Sequence, residues 1–172
     1  IAVGDRFLGR ATEPGGVLYL ALEEQQARLQ DVARRHRVEG LRFHAGPVVM
    51  KPPGDAANEL RLVVERYEAR LVVIDTLGRF IPVADGNDYH GMSAALAPFH
   101  DLARLTGAHV MFLHHVGKAR PADGDEELGV LGSTALTAVF DTVLTMWRNG
   151  ERRTLTTTQR YGVDLPKTVV AV

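Results

Sequence analysis

The 172-residue chain contains no cysteine, three lysines among twenty basic side chains, and 6% aromatic residues. Without cysteine there can be no disulfide framework and no thiolate zinc site, and a reducing compartment such as the cytoplasm is the expected location. No apolar run approaches the ~20 residues of a membrane-spanning helix, and no signal-peptide pattern opens the chain. No charge of one sign dominates either, with 20 basic residues against 21 acidic ones. Bulk charge therefore cannot hold this protein on nucleic acid. The first residue is Ile1 and not Met, so the chain is expected to be a piece of a longer one.

What is present is ordinary globular material: 45% hydrophobic and 24% charged residues. A domain of roughly 150 residues buries about 68–70% of its unfolded surface, so the whole chain, 1–172, is expected to form one domain. Short apolar runs alternate with helix-period stretches. Residues 17–22 read as a buried strand entered through the turn Pro14-Gly15-Gly16. Residues 24–37 follow as a helix with Leu29, Val32 and Ala33 on one stripe, and 41–45 as a second strand. A Pro/Gly loop at 47–54 leads to a helix in which Leu60, Val63, Val64 and Tyr67 keep the i, i+3, i+4, i+7 spacing. Residues 71–75 are four aliphatics ending in a carboxylate, the clearest strand of the set.

A polar loop at 82–90, a helix at 92–106 and a strand at 109–113 come next. The stretch 117–128, with its glycines and acidic residues, reads as a mobile surface loop. Residues 131–139 suggest a short helix. Three antiparallel strands, 141–148, 153–160 and 168–172, close the chain, with turns at Asn149-Gly150 and Tyr161-Gly162. Strand–helix alternation with terminal hairpins predicts an α/β fold whose sheet is mostly parallel, with helices on both faces. In such sheets ligands bind beyond the carboxyl ends of the strands.

That rule gathers the polar residues. Glu23 and Glu24 follow the first strand, Asp75 and Thr76 the third, His114 and His115 the fourth, with Lys118 close behind. Each has a bland explanation: a strand entering solvent, an Asp closing a turn, a structural histidine. Their coincidence on one edge is the informative feature. A carboxylate fixed at a strand end suits a hard cation, which takes oxygen ligands, often through water. A second carboxylate nearby can orient or deprotonate an attacking water. A metal-dependent hydrolase with Glu23, Asp75 and His115 directly on a metal would use the same residue types. It lacks a His at i, i+3 or i+4 from a carboxylate on a helix.

Three segments, Val17-Leu-Tyr-Leu-Ala-Leu-Glu23-Glu24, Leu71-Val-Val-Ile-Asp75-Thr76-Leu77 and Phe112-Leu-His114-His115-Val-Gly-Lys118, stand in an order that resembles the RecA-like P-loop ATPases. The branch they resemble most is the RepA-type hexameric replicative helicases, within the wider AAA/RecA-like group. The later run Gly132-Ser133-Thr134-Ala135-Leu136, leading to Asp141, fits the same pattern. The resemblance implies a three-layer RecA-like fold, ATP as substrate and Mg²⁺ as cofactor. It implies that Asp75 holds Mg²⁺ through water, with Thr76 beside it. It further implies that Glu23 activates water, with Glu24 second in line, and that His115 senses the γ-phosphate. His114 and Lys118 would complete a nucleotide-binding His-His-x-x-Lys pattern, and Arg160 would reach a neighbouring subunit's phosphates. A channel-facing segment at 117–133, with Arg120, Gly132 and Ser133, would contact single-stranded DNA in a homo-oligomeric, hexameric ring.

Two features depart from that pattern. No Gly-rich loop ending Gly-Lys-Thr or Gly-Lys-Ser occurs in the chain, because Lys51, Lys118 and Lys167 follow no glycine turn into a helix. The fold expected is thus a RecA-like one lacking its first, phosphate-loop strand, with that strand upstream. Glu126 and Glu127 also stand where basic residues would favour DNA. The resulting expectation is a part of a RecA-like ATPase tied to DNA replication, recombination or repair. The alternatives are a shortened, inactive relative serving as an oligomer-forming module, and a metal-dependent hydrolase.

Overall fold

The computed structural model describes residues 4, 6, 7, 9–35, 41–45, 51–81, 88–115 and 138–170. The chain divides into two compact units, one of Ile1–Val83 with Ala94–His115, the other of Ala84–Ser93 with Val116–Val172.

The first unit is built on four parallel strands: β1 (Gly16–Ala21), β2 (Leu41–Ala45), β3 (Ala69–Asp75) and β4 (His109–Leu113). Their spatial order is β2-β1-β3-β4. The connection after β1 therefore leads to one side and the connection after β3 to the other. This places the topological switch point between β1 and β3, where an open α/β sheet forms its ligand crevice. Gly16 opens β1 at a register irregularity, and a Cβ there would lie 3.1 Å from the Glu68 carbonyl oxygen. A side chain there would crowd that backbone, a close approach that suits glycine.

Alternation along the strands sorts the core. Leu18 and Leu20 of β1 share a face with Val72 and Ile74 of β3 and with Val110 and Phe112 of β4. Leu18, Val72 and Ile74 are buried, the last two completely. Tyr19, Val73 and Met111 register with one another on the opposite face and are only half-buried.

Four helices are described: α1 (Gln26–Arg35), α2 (Pro53–Tyr67), α3 (Leu77–Phe80) and α4 (Tyr89–Thr106). α2 buries Ala57, Leu60 and Val64 at helical spacing, while Tyr67 of the expected stripe is exposed. Leu96, Phe99 and Leu102 of α4 are buried. Phe99 packs edge-on against Phe112 of β4 and against Phe80 of α3, with centroids 5.5 Å apart in both pairs. That trio docks α3 and α4 on the Ile74 face of the sheet. α1 differs from expectation. It starts at Gln26, two residues later than expected, and buries none of its residues, with Val32 left exposed. Its charged residues pair at i,i+4 spacing, Arg35 with Asp31 within the helix and Arg28 with Glu24, which precedes it, at 3.4 Å. Such pairs support a helix that buries no side chain fully.

One further helix and one further boundary depart from the sequence expectation. The single-turn α3 went unanticipated because four residues carry no readable periodicity. α4 begins at Tyr89, inside the span expected as loop, since the Met92 N–H already bonds to the Asp88 carbonyl at 2.9 Å.

The second unit holds an antiparallel sheet in the order β5-β6-β7: β5 (Thr142–Asn149), β6 (Arg152–Gln159) and β7 (Thr168–Val170). Gly150, at φ 62°, sits in the β5–β6 turn, a left-handed position that suits glycine. Residues 138 and 139 are helical, while the rest of the helix expected at 131–139 lies outside the described residues. The loop expected at 117–128 lies outside them too. The architecture is therefore mixed α/β, with a parallel and an antiparallel sheet.

Candidate functional site

Parallel register carries the polar residues to one edge. Ala21 of β1 faces Asp75 of β3, and Asp75 faces Leu113 of β4. Glu23, Asp75-Thr76 and His114-His115 accordingly leave three adjacent strands at the same end. The Leu22 N–H donates to the Asp75 carbonyl at 2.7 Å, extending the pairing of β1 and β3 one step beyond the sheet. This bond brings Glu23 alongside Thr76.

Thr76 is buried, and its hydroxyl donates to Glu23 Oε1 at 3.2 Å. It also stands at the N-cap of α3, yet makes no side-chain capping bond there. A threonine hydroxyl in that position ordinarily accepts from a backbone N–H of the first turn. Here it is turned to the carboxylate of the neighbouring strand. Arg79 Nε donates to the same Glu23 Oε1, also at 3.2 Å. Both side chains of this ion pair reach solvent, which limits its strength.

Asp75 is held differently. The Tyr19 hydroxyl donates to Asp75 Oδ2 at 2.6 Å in a partly buried setting. Burial raises the phenol's pKa above its ordinary value, and the bond to Asp75 and the charges of Asp75 and Glu24 push the same way. The hydroxyl thus stays a donor throughout the neutral range. At β4, partial desolvation of the His114 ring, followed by the proximity of His115, lowers the His114 pKa. Both histidines reach solvent. Neither is hydrogen-bonded to Glu23 or Asp75 among the described contacts.

The edge thus joins Glu23, Asp75 and Thr76 closely, with His114 and His115 on the adjacent strand end. Lys118, Arg120, Gly132 and Ser133 lie outside the described residues. Arg160 belongs to the second unit, where its guanidinium donates to the Ala138 carbonyl and lies 3.7 Å from Asp141. Two site residues escaped the sequence reading. Tyr19 was legible only as strand filler, although it shares alternation parity with Ala21, the residue opposite Asp75. Arg79 stands one helical turn beyond Thr76, and its side chain had no visible partner until β1 and β3 were paired.

As a cation site the edge offers hard oxygen donors: the Asp75 carboxylate and the Thr76 hydroxyl. Among the described residues no group of three or more His, Cys, Asp or Glu could hold a metal. A direct Glu23–Asp75–His115 metal centre is therefore not assembled by these residues. The donors do fit Mg²⁺, which keeps several waters and takes one or two carboxylates together with substrate phosphates.

Two comparisons with known proteins bear on this edge. The sequence model of a family described as AAA domain matches residues 1–121, which include all of the strand-end residues named above. No curated protein matches the chain.

Proposed function

The chain belongs to the AAA-domain family of ATPases, and from that premise we propose that it is part of a RecA-like ATPase related to the replicative helicases, coupling Mg-ATP hydrolysis to work on DNA. The observation that carries this reading is the edge at the β1/β3 switch point. There Glu23 and Asp75 stand on adjacent strands and Thr76 ties them together through its bond to Glu23.

Asp75, with Thr76 beside it, would hold Mg²⁺ through water. Bound there, Mg²⁺ would supply positive charge to offset the charge that develops on the phosphates. Glu23 is the general base, orienting a water and accepting its proton. Thr76 and Arg79 both bond to Glu23 Oε1, so they fix the carboxylate's position while its second oxygen serves the water. His115 would read the γ-phosphate, and the neutral form of His114, favoured by its lowered pKa, can donate one hydrogen bond without adding charge. Lys118 and Arg160 remain candidate phosphate contacts. Arg120, Gly132 and Ser133 remain candidate contacts to single-stranded DNA in a hexameric ring acting in the cytoplasm. Any DNA binding should be weak, because the chain is near-neutral and four of residues 123–127 are acidic. It should fall with salt, because arginine side chains would be its phosphate partners.

A triphosphate in such enzymes is anchored by consecutive backbone N–H groups at a helix N-terminus and by a loop lysine. No such motif occurs in the 172 residues. We therefore propose that the anchor is supplied from outside these 172 residues, and the test is a paired ATPase assay. The 172 residues alone should turn over little ATP, whereas the same residues preceded by their upstream coding sequence should gain orders of magnitude in rate. In the longer chain Glu23→Gln should keep nucleotide binding and lose hydrolysis, and Asp75→Asn should impair Mg²⁺ dependence. Robust turnover by the 172 residues alone would overturn the anchor's assignment. Near-normal hydrolysis by Glu23→Gln would move the base to Glu24. The missing anchor motif also favours a second reading, an inactive oligomer-forming module, which an inactive longer chain would support.

A further inference from the structure

We infer that Tyr19 is a positioning residue for Asp75: its hydroxyl anchors one carboxylate oxygen so that the other is presented to a hydrated divalent cation. The inference rests on the reading of Asp75 as the Mg²⁺-holding carboxylate and deepens it.

Alternation sets the geometry. Tyr19 registers with Val73 and Ala21 with Asp75, so Tyr19 and Asp75 are diagonal neighbours on one sheet face. Diagonal partners lie roughly 7–8 Å apart at the backbone, a gap that an aromatic side chain spans and a shorter one does not. In the strand Gly-Val-Leu-Tyr-Leu-Ala every other residue is aliphatic or glycine, so the phenol is the only side-chain hydrogen-bonding group that β1 can offer. It makes a 2.6 Å bond to Oδ2, inside the range of a charge-assisted O–H···O⁻ contact.

The reason to anchor one oxygen lies in the aspartate itself. Rotation about the bond to the carboxyl group is broad and roughly two-fold, with no sharp staggered well. A free carboxylate at a strand end therefore presents its oxygens over a wide arc, even though its Cα is fixed by the sheet. Tyr19 removes that freedom by holding Oδ2. Oδ1 is then oriented before any cation arrives, and less entropy is lost on binding. Outer-shell hydrogen bonds of this kind are a general means of tuning metal sites. The half-buried setting strengthens the bond without sealing Asp75 from solvent.

The test uses the 172-residue chain and Mn²⁺ alone as the probe, followed by broadening of the Asp75 and Thr76 amide resonances. Tyr19→Phe keeps the ring and removes only the hydroxyl. It should weaken the apparent Mn²⁺ affinity roughly tenfold, the lower end of what losing an outer-shell partner does. Asp75→Asn should weaken it more. The double variant should be no worse than Asp75→Asn alone, because the two residues act through one group. A Tyr19→Phe chain with lowered melting temperature but unchanged Mn²⁺ affinity would show that the bond merely fastens the sheet, and the inference would fall while the Asp75 reading stood. If Mn²⁺ fails to broaden Asp75 in the unaltered chain, or if Asp75→Asn leaves the broadening intact, the Asp75 reading falls and takes this inference with it.

Discussion

The two faces of the parallel sheet are made of similar residues and do different work. On one face Leu18, Val72 and Ile74 are sealed, and the Phe80–Phe99–Phe112 cluster locks helices onto them. On the other, Tyr19, Val73 and Met111 stay half-open, and the polar pair Tyr19–Asp75 is built there. Parallel sheets usually carry aliphatic residues on both faces, so hydrophobicity alone does not tell these apart. The sealed face supplies rigidity, and the half-open face uses it to hold a carboxylate within reach of water.

Substitutions on adjacent residues of β3 test that division most severely. Ile74→Ala, at a fully buried site, should lower unfolding free energy by about 2–5 kcal/mol, and Val73→Ala by well under half as much. Urea midpoints for the two variants check it, and equal losses would erase the distinction between the faces. Thr76→Val comes next, at about 0.5–1.5 kcal/mol for the lost hydrogen bond. Because the hydroxyl serves Glu23 and not its own helix, amide exchange in α3 should be unchanged by this variant. Faster exchange throughout 77–80 would mean that the hydroxyl caps the helix after all.

The histidine pair gives a smaller, pH-dependent effect. The fold favours neutral His114, so its stabilisation is complete above about pH 6.5, the ordinary value, and is lost as pH falls through the lower folded value. Melting temperature followed from pH 7.5 down to 5 should fall less in His114→Gln than in the unaltered chain. Parallel curves would remove His114 from the account. The smallest effect belongs to Arg79→Ala. Its ion pair with Glu23 is exposed on both sides, so the loss should be at most about 1 kcal/mol and should vanish in high salt. A large, salt-independent loss would mean that Arg79 is part of the sheet's framework.

The periodic patterns of the sequence already determined the strands and their chemistry-bearing ends. β2 and β4 came out at their expected boundaries, and β1 and β3 differ by only one or two residues at their ends. Aliphatic runs that finish in Glu23, Asp75 and His114 are local patterns, and the right edge follows from them once the strands are parallel. The AAA-domain family, though not the helicase branch, was legible for the same reason, since its ordered motifs are local too. Tertiary structure alone decided which side chains meet. Tyr19 reaches Asp75 only because β1 lies beside β3 in the register Ala21↔Asp75, a pairing between residues more than fifty positions apart. Thr76 stands at the N-cap of α3, and only the neighbouring strand turns its hydroxyl to Glu23 instead. The fate of α1 was equally hidden, because a stripe such as Leu29, Val32 and Ala33 states what a helix can bury, while burial depends on what packs against it. Local periodicity is written in the chain, whereas contact between distant strands depends on pairing and packing that no short window of sequence contains.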